Sequence, residues 1–173
     1  MKFNYKQIEI FIREDEIEKK AILNNIKEVF KRASFEEIKI FIKLWHIARK
    51  QGIGVCAHKM ISLHGSYYYE DKIIELSFSF FTNRDKSLSF INHVFSHELG
   101  HVFDKKDYKR GKRGYLDREL NAWKVGLEFI KDELGFKKDL YIKQVRSHLV
   151  EDIIEEELLD IKNMEKVNVF LSF

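Results

Sequence analysis

The stretch His97-Glu98-Leu99-Gly100-His101 brings together residue types that could do chemistry at a spacing that lets them cooperate. On a helix, two imidazoles four residues apart rise about 6 Å and project from one face, so their ring nitrogens can converge on one cation. Glu98, beside the first histidine, can reach a water held on that cation and take its proton. That is the minimal apparatus for metal-assisted hydrolysis of a peptide bond. The competing reading is a core helix carrying two incidental surface histidines. The surroundings do predict a helix: apolar residues at 91, 94, 95, 99, 102 and 103 recur at three- and four-residue spacing. Gly100 inside it costs up to about 1 kcal/mol relative to alanine, so it implies a close neighbour where no side chain fits.

A catalytic zinc site normally takes three protein ligands and leaves one position for water. The best third ligand is Glu119, opening a second helical pattern in which Leu120, Trp123, Leu127 and Ile130 form the buried stripe and Val125 or Phe129 its edges. Small Ala122 lets this helix pack close to the first. Against this, a glutamate near a helix N-terminus is also favoured by the helix dipole without any metal. Asp104 lies three residues after His101 and could hydrogen-bond a ring nitrogen to fix its tautomer, or be a solvated acid at a helix end.

His97-Glu98-x-x-His101 followed by a helix with Glu119-x-x-Ala122-Trp123 resembles the gluzincin metallopeptidases, within them the small ImmA/IrrE-like and phage-type proteins. The resemblance spans roughly residues 60 to 130. It implies that His97, His101 and Glu119 bind one Zn2+, that Glu98 is the general base, and that an edge strand beside the zinc takes an extended peptide by strand addition. The metzincin continuation fails, since positions 104 and 107 are both Asp. Thermolysin-like enzymes place an aspartate one turn after the ligand glutamate to orient a histidine. Trp123 stands there in this chain.

The reading that follows is a zinc-dependent peptidase acting on a peptide or protein, with a single regulatory protein as one form of substrate. A tetrahedral oxyanion needs a donor besides the metal, and Tyr115, His93, Tyr108 and His148 are the candidates. His93 falls one turn before His97 and either lines the cleft or is a helix-face histidine. Three alternatives stand beside the peptidase. One is a zinc-binding regulatory or interaction protein that cleaves little or nothing. Another is a structural zinc site closed by a fourth ligand such as His93 or Asp104. The third is a nucleic-acid-associated protein using the basic connection from Lys105 to Tyr115, a run that is otherwise a solvated loop.

The elements that must position these groups read as one α+β, zincin-like domain over 1–173, mostly helical, with a small antiparallel sheet before the motif helix. A helical N-terminal part covers 1–55, the catalytic core 60–130, and a C-terminal helix with an apolar tail 137–173. Ile17, Ala21, Ile22, Ile26, Val29 and Phe30 mark a first helix. Ser34 is an N-cap for a second, with Ile38, Phe41, Ile42, Trp45 and Ala48 inward and His46 partly buried. The run from Ile74 to Phe80 alternates as a half-buried strand, Met60–His64 is a shorter candidate, and Tyr67-Tyr68-Tyr69 belongs to a hairpin turning at 70–72. Leu134-Gly135-Phe136 reads as a glycine C-cap, and a last helix covers about 139–161.

Composition sets the outer bounds. The 173 residues suffice for one proper core, and 45% hydrophobic content with 15 Phe and 7 Tyr excludes a disordered chain. The lone Cys56 cannot form an internal disulfide, which fits a reducing interior. No apolar run approaches a membrane span and the first residues lack a signal-peptide core, so the expectation is a cytoplasmic protein without a membrane partner. A net charge of +3 is too small to argue for nucleic acid.

Overall fold

The computed structural model describes residues 2–5, 8–12, 16–58, 65–78, 87–104 and 112–155, with the single positions 165 and 168. In chain order its elements are β1 (Lys2–Tyr5), β2 (Ile8–Ile12), α1 (Glu16–Arg32), α2 (Phe35–Lys50), β3 (Gly54–His58), β4 (Gly65–Tyr68), β5 (Ile73–Ser77), α3 (Leu88–Phe103), α4 (Lys112–Ile130) and α5 (Lys138–Glu155). The architecture is α+β, with the sheet preceding the motif helix as expected.

Ile8, Ile10 and Ile12 alternate inward along β2, Val55 and Ala57 along β3, and Ile74 and Leu76 along β5. This period of two gives the sheet one apolar face for the helices to cover. The sheet order is β1-β2-β3-β5-β4, which leaves β4 at an edge among the described residues. The β4–β5 hairpin is antiparallel, pairing Gly65 with Leu76 and Tyr67 with Ile74, and Lys72 takes a φ of 51° in its turn. The sheet as a whole is mixed, which corrects the antiparallel expectation: β3 runs parallel to both β2 and β5. Helices α1 and α2 form the crossover that a parallel β2–β3 pair requires. The N-terminal part is accordingly not purely helical, because β1 and β2 precede α1.

Ser34 caps α2 as anticipated. Its hydroxyl accepts from the Glu37 backbone N–H at 3.2 Å, while the Glu37 carboxylate accepts from the Ser34 N–H at 2.8 Å. This reciprocal pair is a capping box, worth about 1 kcal/mol. Trp45 is half-buried, its indole N–H donating to the Glu9 carbonyl at 3.1 Å, whereas His46 is exposed rather than partly buried.

Three boundaries differ from expectation. The α4 helix starts at Lys112, so Tyr115 lies on a helix and Glu119 sits well inside it. At the other end α4 stops at Ile130, and Gly135 is no left-handed cap; a Cβ there would lie 2.9 Å from the Glu36 Cβ, so close approach to α2 explains it. The last strand is Ile73–Ser77 with Phe78 beyond it, and residues 79 and 80 of the expected strand lie outside the described residues. Met60–His64, residues 105–111 with Tyr108, 156–164 and the apolar tail apart from Asn168 lie outside the described residues. No helix among the described residues is long and apolar enough to cross a membrane.

The motif helix α3 is more central than its apolar stripe suggests. Every residue from Ile91 to Gly100 is buried, polar Asn92, His93, Ser96, His97 and Glu98 included. It is covered by α2, α4, α5, β4 and β5.

Candidate metal centre

The α3–α4 crossing brings the site together. Gly100 of α3 lies against the backbone of Ala122, where a Cβ would sit 2.0 Å from the carbonyl oxygen. One turn along, Gly126 of α4 approaches Ser96, where a Cβ would sit 2.3 Å from that carbonyl. The two helices therefore meet main chain to main chain, Ser96 and Gly100 on one, Ala122 and Gly126 on the other. That contact carries the Glu119 side chain, one turn before Ala122, to the histidine pair.

Glu119 Oε2 lies 3.2 Å from His97 Nε2 and 3.2 Å from His101 Nε2. The two ring nitrogens are themselves 3.2 Å apart. Three donor atoms thus form an equilateral triangle of two nitrogens and one carboxylate oxygen. On a tetrahedral zinc with bonds of about 2.0–2.1 Å, neighbouring donors are separated by about 3.3 Å. The donor set and its spacing fit zinc with one position open. His97 is 2% exposed and Glu119 3%, which excludes the reading of incidental surface histidines. Because Glu119 is well inside α4, beyond the first turn over which a dipole acts, the dipole does not explain its position. Its other oxygen, Oε1, faces the half-exposed Arg118 guanidinium at 3.5 Å.

Electrostatics among the site's side chains follow from burial against pairing. Burial raises the Glu119 carboxyl, but hydrogen bonds and charge from His101 and His97 outweigh it and hold the group well below the usual range. Burial lowers His101, and Glu119 reverses that and raises it.

Glu98 points to the sheet side. Burial pushes its carboxyl up to about 7, against the pull of His101 and of a hydrogen bond from the Tyr67 backbone N–H, with Glu119 adding to the rise. The site reaches the sheet at Gly65, where a Cβ would stand 2.5 Å from Val94 Cγ1 and 3.2 Å from Glu98 Oε1. Edge strand β4 thus lies directly against the carboxylate. The ligand atoms of His97, Glu98 and His101 fall within 4.8 Å of one another.

The remaining candidates separate. His93 does not line a cleft. It is 1% exposed, its Nδ1 hydrogen-bonds the Gln144 side chain of α5, and its ring meets Phe136 and Tyr141 edge-on. That removes it as an oxyanion donor and as a closing ligand. Asp104 ends α3 as a half-buried C-cap residue. Tyr115 is half-buried one turn before Glu119 on α4, its ring under the Arg118 guanidinium at 5.2 Å. The His148 side chain lies outside the described residues.

Sequence reading passed over Arg118, Gln144 and Tyr141, and gave Gly126 no role. The small residues at 96, 100, 122 and 126, each pair four apart, are the signal that could have paired α3 with α4 at once. Comparison with protein-family models, with curated proteins and with solved structures gives no match.

Proposed function

We propose that this protein is a zinc-dependent peptidase of gluzincin type, with His97, His101 and Glu119 as ligands and Glu98 as general base. The observation that carries the reading is the 3.2 Å triangle of Nε2, Nε2 and Oε2 beside a buried carboxylate. Bound zinc supplies Lewis acidity, polarising a scissile carbonyl and lowering the pKa of water towards neutrality. Glu98, held near neutrality by burial, takes the proton of the attacking water and passes it to the departing amine. The main chain of β4 offers an edge for an extended peptide, so the substrate class is a stretch of unfolded polypeptide. Of the oxyanion donors named from the sequence, Tyr115 is the one that remains among the described side chains, one turn before Glu119.

Glu98→Gln tests this. Zinc content should stay at that of the wild type while cleavage of unstructured peptides falls by at least about 100-fold. Undetectable turnover in both proteins, with zinc retained, would leave a zinc-binding interaction protein instead. Zinc bound equally by wild type and Glu119→Ala would remove the third ligand.

A further inference from the structure

The His97 ring lies flat on the Trp123 indole, with centroids 4.1 Å apart and planes 24° from parallel. Trp123 is itself 2% exposed and held from behind. The Tyr141 ring of α5 meets it edge-on at 5.5 Å, and the Tyr141 hydroxyl donates to the Trp123 carbonyl at 2.6 Å. The His101 ring, by contrast, stands at 74° to His97. One imidazole of the pair is therefore backed by a fixed aromatic plane from the helix that also carries Glu119.

From this stacking, resting on the zinc reading above, we propose that Trp123 is the positioning residue for His97: its indole face fixes the imidazole plane so that Nε2 points at the metal. The lone pair of an imidazole nitrogen lies in the ring plane, so fixing the plane fixes the direction of the bond. A metal-bound imidazole is electron-poor, and the electron-rich indole face attracts it more than it attracts the free ring. The stack thus strengthens on metal binding and contributes to affinity, a role that a hydrogen-bonded carboxylate fills in many metal sites.

Two variants separate planarity from packing. Trp123→Phe keeps a flat face, whereas Trp123→Met keeps apolar bulk without one. Zinc affinity is measured by competition with a chromophoric chelator, alongside the thermal midpoint of each metal-free protein. We expect the Met variant to bind zinc about tenfold more weakly, and the Phe variant to stay within about threefold of wild type. Equal affinity in all three proteins overturns the proposal, as does equal loss in both variants. A second measurement needs no folded Met variant. Trp45 is the only other tryptophan, so in a Trp45→Phe background the emission reports Trp123 alone. Zinc should change that emission with the same midpoint as chelator competition, and unchanged emission overturns the proposal. A wild type that binds no zinc fails the peptidase reading as well, whereas zinc binding indifferent to Trp123 fails this inference alone.

Discussion

His93 shows how burial decides what a histidine can do. Four residues from His97 and the same residue type, it is enclosed by Gln144, Phe136 and Tyr141, while Lys137 and Glu37 are the charges that act on it with opposite sign. Burial lowers its pKa to about 4. The unfolded chain therefore binds a proton near pH 6.5 that the folded protein refuses until about pH 4. Stability from this group is complete above about pH 6.5 and is lost as pH falls towards 4. We predict that this costs about 2 kcal/mol between pH 7 and pH 5, and that His93→Gln flattens the profile by that amount in urea titrations. A variant with the wild-type slope would place the acid sensitivity elsewhere. Sequence alone could not separate this histidine from a cleft residue, because its partner Gln144 comes from a helix 51 positions away.

At the level of elements, the crossing of α3 and α4 has no side-chain cushion. Gly100→Ala would place a methyl 2.0 Å from the Ala122 carbonyl oxygen, against backbone that cannot rotate aside. We predict a loss of about 1–3 kcal/mol in chemical denaturation, together with weaker zinc binding as Glu119 is pushed from the histidines. Gly126→Ala, 2.3 Å from the Ser96 carbonyl oxygen, should behave alike. Unchanged metal affinity in a destabilised Gly100→Ala would mean that Glu119 is placed by something else. The need for a close neighbour at Gly100 was legible, since glycine inside a helix otherwise has no reason. The capping box at Ser34 and Glu37 and the β4–β5 hairpin were equally legible, each resting on local spacing. The start of α4 was not, for the charged residues and glycine of Lys112-Arg113-Gly114 suit a loop as well as a helix, and Leu116 alone marks the buried side. The mixed sheet was not either. Ile8-Glu9-Ile10-Phe11-Ile12 is apolar at four of its five positions, which blurs its period of two, and nothing in it says which strand lies beside it or in which direction.

For the whole molecule, the consequence of a site spanning two helices is that a metal bound there would be coupled to the fold. A cation held by α3 and α4 together binds only the folded chain. We predict that zinc at about 100 times its dissociation constant stabilises the protein by about 2.7 kcal/mol, and that a chelator reverses this in a thermal melt. A midpoint indifferent to both would deny that the ligands belong to different elements of one site. The two sides of that site are built very differently. On one, helix backbones touch with nothing between them that could compress. On the other, β4 is paired with β5 alone among the described strands, and meets α3 through the Val94 and Glu98 side chains rather than main chain to main chain. If a peptide docks beside Glu98, the helices cannot spread to receive it, so any yielding has to come from the strand. Amide hydrogen exchange would read this as slower exchange in Gly65–Tyr68 when a peptide is bound, with Ser96–Gly100 as protected before as after.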